Sequence, residues 1–228
     1  MTHYSFFSLL GSIGLLLCFN IPVQSQTTES LDLDLDPDMV EDSPVLQRWQ
    51  EDIPNVLDDI KQDPSFRSRV RVGYAHFPST QHQGGWSIGV EDIFLGETGL
   101  TVSGEYQGTF TGERSTWGGD LRYYVLPLGN YANIAPVLGY RNISTEGYDT
   151  EGVNVGVKVI LALSRTGAAD LSLSQTFVSP GSEDEVGITT LSVGYAVTPQ
   201  LRLSTDIQKQ NSRVEKDSRV GLVLEWLL

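Results

Sequence analysis

From Phe66 to the last residue, apolar and polar side chains alternate with a period of two, in ten segments of roughly ten to thirteen residues. These segments are 66–77, 84–95, 99–110, 116–126, 133–143, 151–163, 169–178, 186–197, 200–210 and 218–228, each bounded by turn chemistry. The alternation is clearest in Val153, Val155, Val157, Val159 and Leu161, with Asn154, Gly156 and Lys158 on the opposite face. It recurs in Val220, Leu222, Leu224, Trp226 and Leu228. No long helical segment separates the strands, so parallel βαβ architectures are excluded and an antiparallel meander is predicted. The echo of Val72-Gly73-Tyr74 in Leu138-Gly139-Tyr140 and Val193-Gly194-Tyr195 reflects repeated hairpins rather than a propeller or solenoid.

Alternation does not say which face is wet. A soluble barrel hides its apolar face inside, whereas an outer-membrane barrel turns it to lipid. Four features favour the second arrangement. The segments approach the nine to eleven residues of a tilted membrane-crossing strand, and their number is even. Aromatics gather toward strand ends, as with Phe77, Trp86, Phe94, Phe110, Trp117, Tyr131, Phe177 and Trp226, which suits interfacial girdles. The polar face carries Gly, Ser, Thr and charges that an apolar core would not tolerate. The expected fold is all-β: a closed antiparallel up-and-down transmembrane β-barrel of about ten strands over 64–228. A soluble periplasmic ligand-binding β-barrel is the alternative.

The sequence before the barrel divides in three. Residues 1–25 carry no charged side chain and hold the apolar run Ser8 to Phe19, which reads as a signal peptide cleaved before Gln26. Residues 26–42 alternate acids with leucine and read as a disordered acidic tether. Residues 43–63 open on Ser43-Pro44 and place Val45, Leu46, Trp49, Ile53, Val56, Leu57 and Ile60 at helical spacing, which predicts a short amphipathic periplasmic helix. Its expected role is a cap packed on the barrel, with a plug or docking helix as the sharper reading. Cys18, the only cysteine, lies in the apolar run, so a processed chain has no thiol chemistry. The net charge of −14 is concentrated here: residues 26–63 contribute −10 and residues 64–228 only −4. With no basic stripe, nucleic acid is excluded as a partner.

With the N-terminus in the periplasm and the barrel in the cell outer membrane, the outward connections are polar and acidic, notably Ser182-Glu183-Asp184-Glu185. The alternation places Arg67, Arg69, Arg71, Arg122, Arg141, Lys158, Arg202 and Arg219 in the lumen, together with Glu91, Glu105, Asp120, Asp206 and Glu225. Eight bases against five acids leave it mildly positive. Two readings follow: a salt-bridged filling, because a ten-stranded barrel is only slightly wider than one that side chains fill, or a narrow anion-preferring pore lined by these residues. The expected partners are outer-membrane lipids, the barrel-assembly machinery and, for a pore, small solutes; no oligomeric state follows from the pattern. An enzyme would need a histidine beside a nucleophile or a positioned water. Only His76 and His82 offer this, at the top of the first strand and in its loop, with Ser79 and Thr80 between them. A rim-histidine hydrolase is therefore a third reading, against polar girdle residues with no catalytic role. No cofactor or metal motif is present.

Three runs carry a resemblance: Ser43 to Trp49 (SPVLQRW), Leu163 to Asp170 (LSRTGAAD) and Leu201 to Arg213 (LRLSTDIQKQNSR). They resemble a set of uncharacterised cyanobacterial proteins expected to be exported outer-membrane β-barrels. The resemblance implies the fold and no activity. The chain ends Trp226-Leu227-Leu228, where outer-membrane barrels usually end in an aromatic residue, a departure that bears on recognition by the assembly machinery.

Overall fold

The computed structural model describes residues 63–79, 82–96, 98–164 and 166–228. The predicted signal peptide, tether and amphipathic helix lie outside these residues, but for Asp63. Ten strands follow in order: β1 (Arg69–Phe77), β2 (Gln83–Phe94), β3 (Leu100–Thr109), β4 (Ser115–Tyr123), β5 (Ala132–Ser144), β6 (Asp149–Ala162), β7 (Ala169–Val178), β8 (Val186–Ala196), β9 (Leu201–Asn211) and β10 (Lys216–Leu227). Each pairs antiparallel with its neighbour in sequence, and β10 pairs with β1 from Arg69↔Leu227 to His76↔Val220, which closes the barrel. Strand limits fall within three residues of those the alternation predicts, because an alternating stretch has one register that keeps all its apolar side chains on one face.

That face is the outside. Val72, Leu138, Val153, Leu173, Val193, Leu222 and their like are exposed on the wall and account, with several in the turns, for 36 exposed large hydrophobic residues among the described residues. Aromatic side chains form two rows. Toward the rim, where β1 ends and β2 begins, lie Tyr74, Trp86, Tyr106, Phe110, Trp117 and Tyr140. The Trp86 and Tyr106 rings meet at a tilt, 5.0 Å between centroids, and those of Trp117 and Tyr140 likewise at 5.8 Å. Toward the base, where β1 begins and β10 finishes, Tyr123, Tyr131, Tyr195 and Trp226 form the second row. Two residues expected in these rows are elsewhere. Phe77 is buried in the lumen and Phe94 also turns inward, since each falls on the inward phase of its strand.

The base is closed by apolar packing. Before β1 begins, Ser65 donates its amide to the Leu128 carbonyl (3.0 Å) and its hydroxyl to that of Asn130 (2.6 Å). These bonds set Phe66 among Tyr124, Leu128, Ala135, Ile160 and Phe94. Its ring lies 4.4 Å from that of Tyr124 and 5.5 Å from that of Phe94. At the rim a second inward cluster joins Ile143, Val178, Val186 and Ile188, with Tyr148 against it.

Candidate functional site

Between these two clusters the lumen is polar, and its centre depends on one irregularity. In β2 the register with β3 shifts between Val90 and Ile93, so Glu91 and Asp92 together face the lumen where strict alternation would send Asp92 to the outer wall. Asp92 adopts φ = 53°, a left-handed conformation that Asp tolerates better than most residues. Its amide bonds to Ser103 Oγ (2.9 Å), and its carbonyl accepts from Ser68 Oγ (2.7 Å). Strand geometry thus places two adjacent carboxylates side by side.

Four cations surround them. The Glu91 carboxylate meets Lys158 Nζ at 2.8 Å, Arg69 Nε at 3.0 Å, Arg122 Nη1 at 3.1 Å and Arg71 Nη1 at 3.2 Å. Asp92 shares two of these, Lys158 at 2.9 Å and Arg122 at 3.0 Å. The network spreads along the base half of the lumen. Asp170 bridges Arg69 (3.0 Å) and Arg202 (2.7 Å), while Arg71 also meets Asp206 (2.9 Å) and Glu225 (3.1 Å). Farther round the wall, Arg141 is held by Glu105 (2.5 Å) and Asp120 (3.2 Å), and Asn154 donates to Asp120 at 2.7 Å. At the rim Arg114 reaches in from the β3–β4 turn to pair with Asp217. There Gln210 accepts from it at 2.7 Å, and the Phe77 ring lies 4.7 Å beneath its guanidinium.

Of the thirteen residues the sequence places in the lumen, twelve are there: Arg69, Arg71, Glu91, Glu105, Asp120, Arg122, Arg141, Lys158, Arg202, Asp206, Arg219 and Glu225. Arg67 is not. It is exposed ahead of β1, its stem beside Gly167 of the β6–β7 turn, because the chain is still passing beneath the barrel from Phe66 and the strand starts only at Arg69.

Four further charges belong to the site. Asp92 enters through the bulge, and Arg114 from a turn that alternation does not reach. Asp170 and Asp217 occupy the first inward positions of β7 and β10, in phase with Ser172 and Arg219. The phase of those strands could have found both. The corrected inventory is eight bases and eight acids, each in at least one ion pair. The expected excess of positive charge is absent. Thirteen of the sixteen are buried and Arg71, Glu105 and Arg122 are half-buried, which is tolerable only when the charges compensate one another in this way.

A cavity of about 150 Å³ opens at the rim beside Arg114, Tyr148, Glu215 and Asp217, and the space deeper in the lumen is smaller. Two cavities of about 40 and 60 Å³ share a lining of Arg71, Glu91, Glu105, Asp120, Arg122, Arg141, Asp206 and Arg219. Each has room for a few waters. The histidines stand apart from this network. The His76 and His82 rings stack at 6.0 Å at the rim, and the Ser79 hydroxyl between them in sequence bonds to Ser218 Oγ (2.6 Å) rather than to either ring.

No protein-family model and no curated protein matches the chain. Sixteen solved chains match it in structure. Among them is the attachment invasion locus protein Ail of Yersinia pestis (10% identity, TM-score 0.33, covering 72% of this chain and 99% of that one). An Acinetobacter baumannii outer membrane protein has 12% identity and a TM-score of 0.35, covering 72% and 98%. Neisserial surface protein A has 14% identity and a TM-score of 0.25, covering 72% and 97%. Likenesses this distant fix neither a family nor an activity.

Proposed function

We propose that the protein is a small outer-membrane β-barrel that serves as a rigid, membrane-embedded scaffold with a lumen sealed by its own ion pairs. The observation that carries this reading is the inversion of the two faces. Sixteen paired charges fill the interior, while 36 large hydrophobic side chains are exposed, most of them along the wall between two aromatic rows. Soluble monomers rarely expose apolar patches beyond a few hundred Å². A lipid-facing wall accounts for this one, and closure leaves no strand edge unpaired in the bilayer. The height agrees. From Val153 to Leu161 the outward side chains of β6 are all Val or Leu. At about 3.3 Å per residue and a tilt near 40°, that stretch covers about 20 Å of a band roughly 25 Å tall.

The even strand number puts both barrel termini on one side, the base, and in this reading that side faces the periplasm. The rim turns, none longer than the seven residues 179–185, then face outward. Such turns are too short to grip a large substrate, so a scaffold fits better than a receptor or an enzyme. The soluble ligand-binding barrel is disfavoured because its ligand would have to enter a charge-filled interior. The rim-histidine hydrolase is disfavoured because Ser79 is engaged with Ser218.

The anion-preferring pore loses its premise with the eight-to-eight balance of charge. Planar-bilayer recording on the refolded chain, after its insertion is verified by resistance to carbonate extraction, tests the sealed lumen. The expected result is insertion without single-channel steps at any salt concentration. Steps of reproducible size would overturn the seal, and extraction by carbonate would overturn the membrane assignment.

A further inference from the structure

We propose that the β9–β10 hairpin carries a docking site on the outer wall for the phosphate of an anionic lipid headgroup. This rests on the membrane reading above. Twelve Lys and Arg side chains lie among the described residues, and eight are committed to the lumen. Of the other four, Arg67 lies at the base, and Lys209, Arg213 and Lys216 all belong to this one hairpin. Each of these three is exposed, and none pairs with a carboxylate among the described residues.

Their placement is regular. Lys209 lies opposite Ser218, and Asn211 opposite Lys216, so the two lysines are diagonal cross-strand neighbours on the outer face. That relation sets them about 7–8 Å apart. Arg213 occupies the turn between, which is closed by the Ser212 amide bonding to the Glu215 carbonyl (3.0 Å). The only carboxylate of that turn, Glu215, is directed toward Gly147 of the β5–β6 turn.

The level is that of lipid headgroups. Directly below Lys209 on the same face, Ile207 pairs with Val220, and the apolar wall continues through Leu222 and Leu224. At the height of Lys209 the wall changes to a polar row, Gln175↔Thr189↔Lys209↔Ser218. The rim acids repel anions: Glu183-Asp184-Glu185 lie in the turn that leads into β8, beside this hairpin through Gly187↔Asn211, and Glu113, Glu146 and Asp149 lie around the other turns. The hairpin is thus a basic site on an otherwise acidic rim, above an apolar wall that seats the acyl chains of the lipid it holds. Cationic side chains near an anionic lipid surface favour association by a factor of about five each.

The test places a bimane label at position 189, beside Lys209, using Thr189→Cys in a Cys18→Ser full chain reconstituted in phosphatidylcholine vesicles. Quenching is measured with spin-labelled phosphatidylglycerol and with spin-labelled phosphatidylcholine. The expected result is half-quenching by phosphatidylglycerol at about one-fifth or less of the mole fraction that phosphatidylcholine needs, a factor of about five being the contribution of one cation. In Lys209→Gln/Arg213→Gln/Lys216→Gln the two curves should coincide. A label at Ile134→Cys, on the far wall, should show no preference in either background. Equal quenching in the parent chain, or a preference that survives the triple change, overturns the lipid site alone. No quenching by either lipid overturns the membrane reading on which it rests.

Discussion

Replacing Glu91 with glutamine keeps the shape of the side chain and removes one charge from the centre of the lumen. Four cations lose a partner: Arg69, Arg71, Arg122 and Lys158. None is left alone, however. Arg69 keeps Asp170, Arg71 keeps Asp206 and Glu225, and Arg122 and Lys158 keep Asp92. Breaking a buried pair outright costs about 3–5 kcal/mol. With every cation retaining one carboxylate, Glu91→Gln belongs at the lower end, about 3 kcal/mol, or roughly a 150-fold loss in the folding equilibrium. Lys158→Met added to Glu91→Gln restores neutrality. The double variant should therefore recover part of the loss and cost about 1–2 kcal/mol. Urea titration of the protein in lipid vesicles, followed by tryptophan fluorescence, measures both. A single variant within 0.5 kcal/mol of the parent, or a double variant that costs the sum of the singles, would refute the compensated network.

Three other changes probe the remaining parts. Leu222→Arg puts a charge midway along the outward face of β10 and should cost about 2–4 kcal/mol in the same titration, as expected for arginine at a bilayer midplane. Phe66→Ala removes the buried ring that closes the base and should cost about 3 kcal/mol. Hydrogen exchange at the Leu128 carbonyl's partner, the Ser65 amide, should accelerate with it. Gly139→Ala places a methyl 2.8 Å from the Asp120 Cα, directly opposite across β4 and β5, and should cost about 1–3 kcal/mol through overpacking.

The barrel was legible in the sequence because side-chain alternation records a two-faced wall directly. Most of the lumen followed from the same phase, as Arg69, Arg71, Arg141, Lys158 and Glu225 illustrate. What escaped did so for local reasons. Alternation assumes an unbroken register, and the Glu91-Asp92 bulge breaks it. A carboxylate at position 92 that would otherwise stand on the apolar outer wall was the available signal. Asp170 and Asp217 sit at strand ends, where pattern fades, and Arg114 reaches inward from a turn with no periodicity. Arg67 erred the other way: its phase matched, but the chain had not yet joined the wall. These four missed residues decide the charge balance. An inventory of eight bases and five acids points to an anion path, and the folded one of eight and eight points to a seal.

Which face of the wall meets lipid is measured directly by a spin label at Leu222→Cys in a Cys18→Ser chain. In reconstituted vesicles a lipid-facing wall predicts fast collisions with molecular oxygen and almost none with a water-soluble nickel chelate, the signature of a side chain in hydrocarbon. Free access of the chelate to position 222, with poor access of oxygen, would contradict the lipid-facing wall and return the barrel to water.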